Sequence, residues 1–445
     1  MSDSGTLVAP AKGAEDIGKS AAERLASSDP EWLAARRLDA WTAFQNMPMP
    51  STRSEEWRYT DLSRKLSLDT LVLGTAAVPE TLPAELQAAI NQDRESAGRV
   101  VEVDGRVASV ELSPALAEQG VVLSSLRDAV ESHPALLESL LATEAVPASD
   151  GKFAALNAAL WSDGVLLYVP RGVVLEHPVR LSRWTSQSGT ATFTRILIVA
   201  EETSQVSFVD EILSPDFDAQ TLASTAVEVF ARGGAQVQYV SLQRMGKGAF
   251  YLANQRTLAE RDSTLDTLNV GLGGSIGRVD LNARLLGPGA NSDMLGLYFA
   301  DDDQHFDFST SQDHVAPNAH SDLLYKGALD GDSRGVFRGI IRVHEGAQGT
   351  DAYQTNRNLL LSDRAEAASL PNLEIGADDV RCSHGSTVGQ LDSEALFYLM
   401  SRGLGREQAE RLVVLGFLGE VLSRLPLGGV VEKVTAAIEA KLGDV

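Results

Sequence analysis

The hydrophobic rhythm of the chain changes twice. Near the N-terminus, WLAARRLDAWTAF brings Trp32, Leu33, Arg36, Ala40, Trp41 and Phe44 round at helical spacing, and Pro48 and Pro50 stop the helix this predicts. From Leu82 to Ala148 helical stretches surround one hairpin-like piece, VVEVDGRVASVEL, whose Asp104-Gly105 is a two-residue turn signal. From Val165 to about Val388 the pattern becomes a succession of short Val, Ile, Leu and Thr runs, such as RILIVAEE, AVEVFA, VQYVSLQ, MLGLYFA and IIRV, with no ordinary helix between them. After Asp392 the helical period returns in SEALFYLMSRGL, in GREQAERLVVLGFLGEVLSRL and in VVEKVTAAIEAKL. The pattern predicts an α-rich domain over 1–150, a β core over 151–391 and a helical domain over 392–445.

The corners of the β region resemble one another: EETSQVSF at 201, RGGAQVQY at 232, ERDSTLDT at 260, GPGANSDM at 287, DGDSRGVF at 330, EGAQGTDA at 345 and DRAEAASL at 363. Each joins two strand-like runs of similar length, the mark of a stacked coil whose apolar interior no single turn could build alone. The fold expected is mainly β, a β-helix, with flanking helical sequence to cover its ends.

Composition narrows the function. A net charge of -23 repels phosphate backbones and anionic lipid, so neither nucleic acid nor a membrane surface is an expected partner. No apolar run is long enough to span a bilayer and no basic-then-apolar leader opens the chain, which points to a soluble, cytoplasmic protein. The 445 residues hold one cysteine, Cys382, too few for an internal disulfide or for the four thiolates that usually hold an iron–sulfur cluster. Any metal site must borrow ligands.

Two motifs are set aside. GAEDIGKS at Gly13–Ser20 has the spacing of a phosphate loop, but it follows no buried strand and carries Glu15 and Asp16 where phosphate would sit. ADDDQHFDFSTSQDHVAPNAH places His305, His314 and His320 among Asp301, Asp302, Asp303, Asp307 and Asp313; metal ligation is conceivable, yet consecutive aspartates also mark a solvated turn. In DDVRCSHGST the strand period of two puts Val380, Cys382 and His384 on one face. A neighbouring imidazolium can lower a thiol pKa and the pair could ligate iron, while a packed cysteine beside a satisfied histidine fits the same spacing; both remain open.

PNLEIGADDVRCSHGSTVGQLDSEALFYLMSRGL, from Pro371 to Leu404, closely resembles the signature of the SufB/SufD family, scaffold subunits of the SUF iron–sulfur cluster assembly system. AALNAALWSDGVLLYVPRGVVLEHPVRL from Ala154, GVFRGIIRV from Gly335 and YQTNRNLLLSDRAEAASLPNLEI from Tyr353 agree with it, and His384-Gly385-Ser386 with RSEEWRYTDL upstream is similar to the SufD branch. The resemblance implies a right-handed parallel β-helix, no enzymatic activity of its own, pairing with SufB and recruitment of the SufC ATPase. It further implies a transient cluster at the shared interface, with His384 as a candidate ligand shared with the partner, Cys382 a weaker one, and no cofactor held stably by this chain alone. GFLGEVLSRL offers Phe417, Val421 and Leu425 as an apolar face for docking SufC or for capping the β-helix. The rival readings are a β-helix enzyme acting on acidic polysaccharide, with the Asp301 to Asp307 cluster as its carboxylates, and a purely structural assembly subunit with Cys382 and His384 inert.

Overall fold

The computed structural model describes residues 15–74, 81–93 and 95–443. From Asp163–Val169 onward, successive strands alternate between two parallel sheets, so that each coil is one strand from each. In the first sheet Thr221 stands beside Ala249, Ile276 beside His305 and Arg334 beside Glu366, a repeat of about thirty residues. The result is a β-solenoid of about eight coils ending in Glu366–Ile375 on one sheet and Val380–Gln390 on the other.

One row of corners explains the loose repeat seen in the sequence. Gly172, Thr203, Gly234, Asp262, Gly289, Asn318 and Gly349 occupy it in successive coils, and every one has positive φ, between 56° and 75°. The turn demands a left-handed residue, which glycine supplies without strain and Asn or Asp tolerates; the β-branched Thr203 is the costly exception. Asp302, with φ 50°, does the same on the opposite row, so the aspartate run 301–303 is a corner of the solenoid.

The interior is apolar toward one side and polar along its middle. Arg183 donates to both carboxylate oxygens of Asp210 at 2.8 and 3.0 Å and to Thr225 at 2.9 Å, and the Tyr239 hydroxyl donates to Asp210 at 3.0 Å. Burial raises the Asp210 pKa, and Arg183 opposes it.

The helical domains cover the outer faces of the sheets. On the first sheet, Leu33, Trp41, Leu156 and Leu160 pack over Phe193, Leu197, Phe230 and Leu252. Arg195 and Glu228, both buried on this face, pair at 2.8 Å, and Arg195 also donates to the Val146 carbonyl. Trp57 in RSEEWRYTDL stacks on the Arg278 guanidinium at 3.8 Å, an anchor as its setting suggested. On the second sheet, Val414, Leu418, Leu422 and Ile438 of the helices Arg406–Arg424 and Val430–Lys441 pack on Val240, Leu242, Leu268 and Leu297. Lys433, buried, donates to Asp93 and Glu211 at 2.8 Å each, tying the last helix to the N-terminal domain and to the sheet.

The two ends of the solenoid differ. At the N-terminal end Gly98–Val103 extends the second sheet in parallel and then turns at Asp104 and Gly105 into the antiparallel Arg106–Leu112, while Val122–Ser125 closes the first sheet antiparallel to Asp163–Val169. At the C-terminal end no helix among the described residues lies across the last coil. The C-terminal helices turn back along the second sheet because their apolar face matches its outer row of Val and Leu, and the strands Glu366–Ile375 and Val380–Gln390 keep free edges.

Removing one partner of a buried ion pair strands the other charge in low dielectric, at a cost of about 3–5 kcal/mol. Arg183→Met is expected to lower the unfolding free energy by roughly that amount in urea denaturation, against less than about 0.5 kcal/mol for an exposed change such as Arg171→Met; an unchanged midpoint in Arg183→Met would refute the role given to this pair.

Candidate functional site

Val380, Cys382 and His384 lie on the last strand in register with Thr350, Ala352 and Gln354, all three of which are buried. Their shared face is therefore the one that faces the interior in every earlier coil. Here no further coil stacks above it, so His384 is exposed although the residue beneath it, Gln354, is fully buried. Leu373 and Ile375 repeat the pattern: they pair with the buried Ile341 and Val343 yet stay 37% and 41% exposed, and Val388 is 45% exposed. Ser386 donates to Ser369 at 2.8 Å, linking the two final strands. The site is an unfinished coil, with core-type side chains, two free strand edges and one imidazole in the open.

Cys382 is half-buried and packs with Val380 against Ile341, Val343, Ala347, Ala352 and Ala377. Burial, and then the Asp351 carboxylate, push its thiol above the ordinary value, while a backbone hydrogen bond at Ala352 acts the other way. The apolar pocket and the nearby anion both favour the thiol over the thiolate. His384 shares its face with Cys382, as the strand period predicts.

The other candidates are scattered. His305 is buried on the outer face of the first sheet, 2.8 Å from the Thr60 hydroxyl, with its pKa pushed down to about 3 by burial and then by Lys65, Arg334 and Arg278. His314, at the far end of the same strand, sits 2.8 Å from Ser321 and is lowered to about 4, again chiefly by burial. His320 is exposed, and Asp301 and Asp302 pair with Lys441 at 2.9 Å and Lys247 at 2.7 Å as corner residues. Among the described residues, no three His, Cys, Asp or Glu side chains gather as metal ligands. Of the false phosphate loop, Gly13 and Ala14 lie outside the described residues; Gly18 precedes the helix Lys19–Ala26, and Lys19 pairs with Glu23.

The docking residues need correction. Val421 and Leu425 are buried against the chain's own second sheet, and Phe417 is partly buried with the Lys326 ammonium 4.4 Å from its ring. An apolar face already covered by its own sheet is not free for another protein. The free apolar surface lies one helix earlier, on Ser393–Ser401, where Phe397 is 74% and Tyr398 57% exposed, with Met400 also uncovered. SEALFYLM is apolar nearly all round, a signal that this helix exceeds what the chain can bury.

Comparison with known families places this geometry. A family model described as the SufBD core domain of SUF-system FeS cluster assembly matches residues 183–417, and one for the SufBD protein N-terminal region matches residues 15–181. The chain belongs to the SufBD family. The iron–sulfur cluster assembly protein SufD of Bacillus subtilis is 32% identical, the match covering 93% of this chain and 95% of the relative. SufBD family proteins of Staphylococcus haemolyticus and Staphylococcus epidermidis are 28% identical, with 91% of this chain and 88% of each relative covered. SufBD membership gives the chain a role in iron–sulfur cluster assembly, as part of a protein complex, and no helix among the described residues is long and apolar enough to cross a membrane.

With a single cysteine the alkylation readout is unambiguous. Asp351→Asn removes a negative charge that holds the thiol protonated, so iodoacetamide labelling of Cys382 at pH 7.5 is expected to quicken about two- to fivefold, the rate profile shifting to lower pH. An unchanged rate would mean that burial alone sets the thiol's reactivity.

Proposed function

We propose that this chain is the non-ATPase, SufD-type subunit of a SUF assembly complex: it pairs with SufB through its unfinished last coil, recruits SufC through its C-terminal helical region, and offers His384 to a nascent cluster at the shared interface. The observation that carries this reading is the uncovered coil. Free strand edges beside exposed Leu373, Ile375 and Val388 are a liability that natural proteins cover. A sister subunit docking there would bury these side chains and bring its own thiolates toward the exposed imidazole, while the cluster is cargo passed on to other proteins. An imidazole is a borderline ligand suited to iron.

SufC recruitment rests on the helix Ser393–Ser401, whose Phe397 and Met400 line an open groove with Leu396 and Leu361 and whose Tyr398 is exposed beside them. It follows directly on the last strand, so a displacement of this helix acts at once on the coil that carries His384. Motion driven by ATP hydrolysis in SufC would thus reach the interface over a short path of continuous backbone. No reaction need be catalysed by this chain itself, and the packing of Cys382 in its apolar pocket supports treating it as structure.

His384→Ala is expected to leave a complex that co-purifies with SufB and SufC while cluster yield on reconstitution falls about tenfold or more; full yield would remove the imidazole from the mechanism. Replacing Phe397 and Tyr398 together by Asp should cost SufC capture at least about 3 kcal/mol, the loss of two exposed aromatic anchors, with pairing to SufB intact in a pull-down. Retained SufC binding would move the docking surface elsewhere.

A further inference from the structure

The second aromatic of RSEEWRYTDL has no anchoring role: Tyr59 is 41% exposed and lines a cavity of about 680 Å³ between the N-terminal segment and the last coil. Its lining combines the cations Arg58, Arg64, Lys65 and Arg334 and the carboxylates Asp61 and Glu366 with the apolar Val336, Leu360 and Val388. In a protein of net charge -23 such a concentration is unusual. Arg334 shares a solvent-exposed ion pair with Glu366 at 2.7 Å, and Arg64 at the rim approaches Asp61 at 3.4 Å. Among the described residues, Arg58 and Lys65 have no carboxylate within ion-pair distance. Partial burial of the Lys65 amine, and then Arg334, hold its pKa below the ordinary value, while Asp303 and Asp61 act the other way. His305 beneath is kept neutral in part by the same Lys65 and Arg334.

We propose that this cavity is a binding site for a small organic anion bearing phosphate or carboxylate groups, gripped by Arg58, Lys65 and Arg334 and backed by Tyr59. Its volume falls within the range of roughly 300–1,000 Å³ of small-molecule sites, and convergent donors beside an apolar wall are the arrangement such sites use. A partner's protruding side chain would need less room, which favours the free small molecule as occupant. The surface ion pair to Glu366 is no obstacle, since exposed pairs contribute at most about 1 kcal/mol and the guanidinium can accept a second anion. Occupation would join the segment before Leu66 to the coil that ends in the open edge, in a place no sequence motif marks.

The test is titration calorimetry of the full chain at low ionic strength with citrate and, in a separate arm, inorganic pyrophosphate, which distinguishes carboxylate from phosphate recognition. At least one is expected to bind with Kd below about 1 mM, and Arg58→Gln, Lys65→Gln or both to weaken it at least about fivefold with the melting temperature unchanged. Arg58 is exposed and without an ion pair, so its replacement keeps the fold even if Lys65→Gln disturbs the segment. Failure of both anions to bind, or binding that neither substitution weakens, overturns the proposal. Because the isolated chain is titrated, either result leaves the assembly role proposed above untouched.

Discussion

In a stacked solenoid every coil is completed by the next one: the backbone groups of one strand find their partners in the strands above and below, and a side chain becomes interior only when another coil lies over it. Residues 163–360 obey this rule through coil after coil, with register kept by residues such as Val279 beside Phe308 and Phe337. The exposed imidazole of His384, the uncovered Leu373 and Ile375 and the half-buried thiol of Cys382 all follow from the place where the rule stops being satisfied. The candidate site is thus a consequence of where the stacking ends, and needs no local distortion to create it.

The same rule explains how the helical domains are used. An outer sheet face rich in Val, Leu and Phe must be covered, and the chain covers each sheet with a helical domain of its own, at the cost of leaving one end bare. Buried charge fixes these covers in register. Lys433 meets Asp93 and Glu211, Arg195 meets Glu228, and any sliding of a cover would leave such groups desolvated without partners.

Much of the architecture was legible in the sequence because strands and corners leave local traces. The helix Glu31–Asn46 follows from its spacing and its prolines, the Asp104-Gly105 turn from its residue pair, and the coils from the recurrence of turn residues between apolar runs. The corner at Asp302 was legible as a solvated turn, but its place in a row of coils was not, because Asp and Asn serve a left-handed turn as readily as they ligate metal. Period two put Cys382 and His384 on one face correctly, but which side of the sheet that face occupies, and whether it is covered, depends on coils far away in sequence. For the same reason Val421 and Leu425 read equally as a docking face or as a cover for the β-helix: amphipathicity reveals that a stripe will be covered and not by what.

The unequal treatment of the two ends limits what such a rod can build. A rod with identical termini at both ends could add units without limit and grow into a fibre, whereas this one begins in the antiparallel strands Arg106–Leu112 and Val122–Ser125 and ends in two parallel strands. Two rods meeting by like ends exhaust each other's open edges, so the geometry favours a closed pair over polymerisation.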